Sequence, residues 1–532
     1  TEVTILLDRK SLIFKHNGTV HFTVTDVEDE SITPGHINSI VGIGDSTKGD
    51  EEATNKIGKF GIGFKSVFQY TDSPEVYDDY FKFKIENYIV PERITTDHPM
   101  RDTGETLFRI PFKNPDAAYK EISEKLKVLA NCTLFLNNLQ RIRWKNLQTK
   151  EHKHFSKKIT AAYVSKNDII LEKLEINDYD NTRHILMFSR MVDVGEESKH
   201  KIYLGYYTNH EGAINTKVRP KVHCFFPTSE TFNTCMIVHA PFLLVDNRQQ
   251  IKPSEEVNKR LVNELGRLAA DSLSELRDLG IREERIILND NIKDIVCWDE
   301  YSNYSWTWRH IDNTLIQRNK IIEPCLEEKK NEPLLLGSND KYYKATNIYQ
   351  VTPQSLYELL TPAQIQFLRG ADKAIGVLSP ALNRLDFDNI EEEIGIQSYT
   401  TQTFAYDITP DFMAKQPMAW VNKLFFFLLN EVRGSWNPEE RNPYFLNAPI
   451  IQTMQGEWVA PFLDGRINVY SSGDTVQYNV ISKTMLASKP IMKFLNELGC
   501  KEPDLLDHII NHVLNKYRDS NEEYDEDEIV SD

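Results

Sequence analysis

The 532-residue chain has only six cysteines, Cys132, Cys224, Cys235, Cys297, Cys325 and Cys500, and no two of them form a CxxC pair. That scatter argues against a zinc site or a disulfide framework and fits reduced thiols in a cytoplasmic protein. Long apolar runs are missing too. A membrane-spanning helix needs about 18 or more consecutive apolar residues, and the greasiest segment, Leu424 to Leu429, is far shorter. Positive charge is in deficit, with 62 Lys and Arg against 79 Asp and Glu and a net charge of −17. Broad contact with phosphate backbones needs clustered Lys and Arg, so nucleic acid is not the expected partner, although a local basic groove stays compatible with the balance. No signal peptide opens the chain. No Ser-His-Asp or Cys-His constellation can be argued, and His223, His239 and His310 lack metal-ligand spacing and read as structural.

What is present is ordinary globular material, 40% hydrophobic and 27% charged. A single core stops growing near about 250–300 residues, so two to four domains are expected. Val3, Ile5 and Leu7 alternate, and "SLIFKHNGTVHFTV" alternates again. Two strands with a turn at Asn17-Gly18 are the expectation. A helix is expected from about Lys65, strands at "YFKFKI" and "ETLFRIPF", a helix near 115–130, and strand-like runs at "ILMFSRMV", "KIYLGYY", "VHCFFPT" and "CMIVHAPFLL". Pro253-Ser254-Glu255-Glu256 starts a long helix with an apolar stripe through Val257, Leu261, Leu265, Leu268, Leu276 and Leu279, with Gly280 as its stop. Mixed strands and helices give an α/β class, as an α+β sandwich.

Past about residue 283 the chain echoes itself. "PLLLGSNDKYYKATNIY" from Pro333 resembles "PIIQTMQGEWVAPFLDGRINVY" from Pro449, and "IEEEIGIQS" around Gly395 resembles "LNELGCKEP" around Gly499. Divergent tandem modules are expected. Trp298, Tyr301, Tyr304, Trp306 and Trp308 cluster and read as a hairpin packing its own core, with base stacking or peptide grip as the other reading. The tail "NEEYDEDEIVSD" is acidic and expected to be disordered.

One stretch needs chemistry to explain it. "KIGKFGIGFKSVF", residues 56–68, carries Gly58, Gly61 and Gly63 between phenylalanines. Each glycine inside a regular element costs roughly 0.5–1 kcal/mol against alanine. Bare backbone before a helix lets N–H groups approach a phosphate, and Lys65 can add a full positive charge. A tight packing corner uses glycine as well. The order GxxGxG is neither a Walker loop nor a dinucleotide fingerprint.

That order resembles the GHKL ATPases, the superfamily of gyrase, the ninety-kilodalton heat-shock chaperones, histidine kinases and mismatch-repair proteins. "IGKFGIGFKSVF" resembles the lid hinge of the chaperones and of sacsin-type proteins. "LIFKHNGTVHF" is similar to the adenine-contacting turn, "SIVGIGDSTKG" to the sacsin-like lid entry, and "GETLFRIPF" to the closing Gly-Thr strand. "TLFLNNLQRIRW" resembles the end of that domain, and "FFPTSETFNTCMIVHAPFLLVDNRQQI" the middle, transducer domain. The resemblance covers about the first half of the chain.

The resemblance implies a Bergerat-type ATP-binding domain at 1–148, a transducer-like α/β domain at 149–282, mixed α/β repeat modules at 283–520 and a tail at 521–532. It implies ATP and Mg²⁺ as cofactors. His16, Asn17 and Gly18 would lie at the adenine-contacting turn, and Thr106 would match the threonine of the closing strand as a nucleotide-binding residue. Ser46, Thr47 and Lys48 would enter the lid. Gly58, Phe60, Gly61, Ile62, Gly63 and Phe64 would wrap the phosphates. Lys65 and Arg248 would act on the triphosphate, Arg248 reaching over from the middle domain; pairing with Asp246 is the plainer reading of Arg248.

Two departures stand out. The family's first helix, with a glutamate that activates water and an asparagine that holds Mg²⁺, belongs before Thr1, so upstream residues are expected in the natural protein. His16 stands where the family has an aspartate that accepts from the adenine amino group, and a neutral histidine accepts only in the right tautomer. The function expected is an ATP-driven conformational switch, chaperone-like or gating a partner effector, for instance in anti-phage defence, with a protein client or effector and a possible homodimer as partners. The alternative is a protein-binding scaffold with a degenerate nucleotide pocket.

Overall fold

The computed structural model describes residues 1–25, 35–42, 63–129, 133–136, 138–165, 168–179, 181–195, 199–231, 234–245, 249–252, 254–296, 331–370, 375–385, 395–431, 444–463 and 465–509. The chain is a mixed α/β protein and divides into two compact units, Thr1–Lys329 with Asp388–Glu393, and Lys330–Phe387 with Ile394–Asp532.

The first unit is built on one mixed sheet. Strand β1 (Glu2–Leu7) pairs antiparallel with β2 (Ser11–His16), from Val3 opposite His16 to Leu7 opposite Leu12. The connection between them is Asp8–Lys10, where the Asp8 N–H donates to the Ser11 carbonyl at 2.9 Å. The turn is therefore not at Asn17-Gly18. Those two residues end β2, and residues 19–25 form no strand. The polar Asp8-Arg9-Lys10 already breaks the alternation, and Asn17 spends its side chain on β1 instead.

Beside β2 runs β6 (Thr106–Pro111), antiparallel, and β3 (Glu75–Tyr77), β4 (Lys82–Glu86) and β5 (Val90–Arg93) continue to that edge. On the other side β7 (Arg141–Asn146) lies parallel to β1. Then follow β8 (His152–Val164), β9 (Ile170–Asp178), β10 (Asn181–Val192) and β11 (His200–Thr208). The set closes with β12 (Lys221–Cys224), β13 (Phe226–Thr231) and β14 (Met236–His239), giving the order β13-β12-β14-β11-β10-β9-β8-β7-β1-β2-β6-β3-β4-β5. β7 and β8, on either side of residue 148, are hydrogen-bonded neighbours.

Among the described residues, three pieces cover the β5-to-β8 end of this sheet. α2 (Pro115–Lys127) sets Ala118, Ile122 and Leu126 against Val3, Ile110, Ile142, Trp144 and Phe155. α1 (His36–Val41) and the segment from Phe64 pack over Val76, Phe83 and Ile85. Gly35, just before α1, is held glycine by close approach, because a Cβ would lie 2.7 Å from the Thr23 carbonyl oxygen. The helix expected from Lys65 is a short 3-10 segment, Phe64–Gln69. It stops where Tyr70 N–H bonds Val67 at 2.9 Å, shortly before Pro74, which disfavours a helical residue ahead of it.

The β10–β11 region carries α3 (Glu256–Arg282). Leu261, Leu265, Leu268, Leu276 and Leu279 are all buried, each contributing roughly 1.5–3 kcal/mol against exposure. The helix continues past Gly280. That glycine lies inside it because the returning chain crosses there, and a Cβ would meet the Arg285 carbonyl oxygen at 2.7 Å.

The second unit has its own core, including Leu356, Ile365, Phe404, Phe425, Ile451 and Phe494. Here the echo has a backbone counterpart. β15 (Leu335–Leu336) and β16 (Tyr342–Tyr343) make a hairpin, and β17 (Ile451–Gln452) and β18 (Trp458–Val459) make another 116 residues on. Gly337 bridges Leu378 as Thr453 bridges Ile481. Both hairpin tips hold a left-handed residue, Asp340 (φ 59°) and Gly456 (φ 89°), and so do Gly395 and Gly499 (φ 81° and 74°). Left-handed backbone favours glycine, which stands at 395, 456 and 499, while Asp340 takes the same conformation at the first hairpin tip,.

Candidate functional site

The polar end of β2 is where sequence-chosen residues meet. His16 stands directly opposite Thr106 in the β2–β6 register, and Phe14 opposite Phe108. Directly opposed residues project to the same face, so His16 and Thr106 sit side by side although ninety positions separate them in the chain. Thr106 is buried and His16 half-buried. The backbone N–H of Gly18 donates to His16 Nδ1 at 3.1 Å. A Cβ on Gly18 would stand 3.1 Å from that same nitrogen. Asn17 turns away: its side-chain oxygen accepts the Glu2 N–H at 2.7 Å and its own N–H reaches the Glu2 carbonyl at 3.3 Å. Asn17 thus ties the end of β2 to the start of β1.

Phe108 is the hub that sequence reasoning missed. Its ring lies 6.1 Å from His16, 6.0 Å from Phe14, 6.2 Å from Phe22 and 6.0 Å from Phe64. These separations fall in the range of favourable aromatic pairs. Period-two alternation from Thr106 puts Phe108 on the same face, which is the signal that finds it. Through it Phe64, from the glycine stretch, is joined to His16.

Asp78 was missed as well. It is fully buried, accepts the Phe22 and Tyr80 N–H groups at 3.2 Å each, and pairs with His21 Nδ1 at 3.2 Å. It therefore anchors the chain leaving Gly18. Next to it Arg101 bonds Asp79 at 2.7 Å, Asp97 at 2.6 Å and the Glu105 carbonyl at 2.9 Å, which fixes the approach to Thr106. The Arg101 guanidinium holds the Asp97 carboxyl well below the usual carboxylate range. Burial pulls the His16 pKa below its ordinary value, and Asp78 and Glu105 pull the other way without reversing it. The imidazole is neutral at physiological pH on that direction.

Of the other sequence-chosen residues, Lys65 donates its Nζ to the Gly42 carbonyl. Gly63 is right-handed helical (φ −58°), and no described atom lies within 4 Å of a Cβ placed there. Neither its conformation nor described packing demands glycine. Ser46, Thr47, Lys48, Gly58, Phe60, Gly61, Ile62 and Arg248 lie outside the described residues, as do the tryptophan cluster, His310 and the acidic tail. The flanks of Arg248 are described. Val245 N–H bonds the Gln250 carbonyl, and Asn258, buried in α3, clamps Leu243 through both its N–H and C=O at 2.9 Å while also reaching Lys252. Among the described residues no group of three or more His, Cys, Asp or Glu is placed to hold a metal ion.

His239 is the contrast. It is buried among Phe135 at 4.4 Å, Tyr203 at 5.3 Å and Phe225 at 5.1 Å, and burial pushes its pKa down to about 3. His223, opposite it in the β12–β14 pairing, is pushed down to about 4.

No family model matches the chain. An alignment 278 positions long, covering 45% of this chain, is 24% identical to Protein NO VEIN of Arabidopsis thaliana; it spans about a tenth (10%) of that protein's length. Among solved structures, a topoisomerase IV ATP-binding domain of Francisella tularensis in complex with a small-molecule inhibitor overlaps 33% of this chain and 52% of its own, at 15% identity and a TM-score of 0.20. The N-terminal domain of a DNA repair protein overlaps 47% of this chain and 82% of its own, at 12% identity and a TM-score of 0.25. No helix among the described residues is long and apolar enough to cross a membrane.

Proposed function

We propose that the first unit is a nucleotide-binding conformational switch of the GHKL type, with ATP as its ligand and a protein client or effector as the recipient of its motion. The observation that carries this reading is the juxtaposition of His16 and Thr106. They belong to separate motifs, the adenine-contacting turn and the closing Gly-Thr strand, and they stand opposite each other on neighbouring strands. Phe64, chosen from a third motif, reaches the same place through Phe108. The domain division at residues 148 and 282, the sacsin-like character of the modules and the roles of Lys65 and Arg248 at the triphosphate belong to the same proposal. The Asn258 clamp on Leu243 and Lys252 supports a braced base for the Arg248 segment. Arginine from a second domain stabilises charge in phosphoryl transfer. Mg²⁺ is not assigned to any described residue.

Calorimetric titration of the full-length protein with ATP and ADP tests it. The reading expects saturable ATP binding that Thr106→Val weakens. If ATP binds, Arg248→Ala is expected to slow hydrolysis and leave affinity largely unchanged. Absence of any nucleotide binding overturns the proposal.

A second reading has an observation of its own. Asn17 is spent on Glu2 and Lys65 on the Gly42 carbonyl, so two of the proposed ligand contacts are occupied internally. A scaffold that binds protein through the second unit, with no working nucleotide pocket, fits those bonds. The same titration separates the two.

A further inference from the structure

The hydrogen bond at His16 has a polarity that the base-contact reading did not include. A backbone amide only donates, so Gly18 N–H at 3.1 Å makes His16 Nδ1 an acceptor,. Nδ1 then carries no hydrogen. In the neutral imidazole the hydrogen resides on Nε2, and the second ring nitrogen is a donor. A protonated ring would place two donors against each other at Gly18, so the turn itself holds the ring in this tautomer. No described residue has a hydrogen bond to Nε2, and the ring is half-buried with its flank against Phe108.

We propose that His16 meets the ligand as a hydrogen-bond donor through Nε2, so that the atom it recognises is an acceptor. On adenine the exocyclic amino group only donates, and the acceptors are ring nitrogens. His16 therefore reads a ring nitrogen of the base, where an acidic side chain at the same place would read the amino group. This makes His16 a specificity residue whose polarity is set by Gly18. The proposal rests on the nucleotide reading of this site.

Substitution separates donor from acceptor. His16→Asp supplies only acceptors at neutral pH, and His16→Gln keeps an N–H donor. ATP titration of the full-length protein is expected to show at least a ten-fold loss in His16→Asp and a loss within about three-fold in His16→Gln, since a mispaired polar group in a part-buried site costs more than an imperfect hydrogen bond. Binding in His16→Asp as tight as in the unsubstituted protein, or tighter, overturns the donor assignment and leaves the nucleotide site standing. Failure of the unsubstituted protein to bind ATP overturns both. Long-range ¹H–¹⁵N correlation of histidine-labelled protein gives an independent reading without any substitution. The His16 resonances are expected to show hydrogen on Nε2 alone before ATP is added, and hydrogen on Nδ1 contradicts the proposal.

Discussion

His16 and His239 are both driven toward neutrality by burial, and they teach different things. His239 is sealed among aromatic rings. His16 sits at a strand end, has one ring nitrogen bound by its own turn, and has a buried threonine beside it. Burial is the leading cause of both shifts, so a shifted pKa does not mark a site. What distinguishes the β2–β6 end is a polar group whose direction is fixed and whose second nitrogen faces no described protein partner. At the β11–β14 end the rings fill the space that a ligand would need.

The largest effect expected of a single change lies at the sealed end. Asn258→Ala removes the clamp and takes the side-chain partner from the part-buried Leu243 N–H and Lys252 carbonyl. It is expected to cost about 2–4 kcal/mol by denaturant unfolding, while ATP affinity changes less. Equal losses from Asn258→Ala and from Asn17→Ala, whose bond is exposed, would erase the contrast between the two ends.

The next effect is pH dependence. The folded-state pKa of His239 lies below its unfolded value, so between about pH 6.5 and 3 the unfolded chain binds a proton that the folded one refuses,. Stability is full above the unfolded pKa and declines as pH falls through that window. At pH 5 the loss from this residue is roughly 1–2 kcal/mol. His239→Phe is expected to flatten the acid side of the stability profile. An unchanged slope between pH 7 and 5 would show that His239 is not sealed.

Smaller effects belong to the open end. Thr106→Val keeps the shape of the buried side chain and is expected to change stability by less than about 1 kcal/mol while weakening ATP binding several-fold. Gly18→Ala presses a methyl group on His16 Nδ1 at 3.1 Å. It is expected to cost a few tenths of a kcal/mol in stability, of the order seen for surface changes, and to weaken ATP more than it weakens folding. Equal effects on folding and binding would make the turn merely structural.

How much of this was legible beforehand depends on whether the cause is local. Alternation in "ETLFRIPF" and the leucine spacing of α3 reported their elements because one face of each is buried. The echo from Pro333 to Pro449 has a backbone counterpart in two hairpins whose tips, Asp340 and Gly456, are both left-handed. Asn17-Gly18 was misread as a hairpin turn, because the side chain of Asn17 reaches Glu2 fifteen residues back. Asp78 and Phe108 were invisible as site neighbours because their partners come from distant segments. The tautomer of His16 depends on a single amide two residues away and cannot be read from residue type. At Gly63 neither the backbone conformation nor the described packing calls for glycine.

Photolabelling with 8-azido-ATP, followed by peptide mapping, tests the central claim most directly. The account predicts labelling, competed by ATP, on peptides holding residues 14–18 or 106–108. Label confined to the second unit, or label that ATP does not displace, would contradict a base site between β2 and β6.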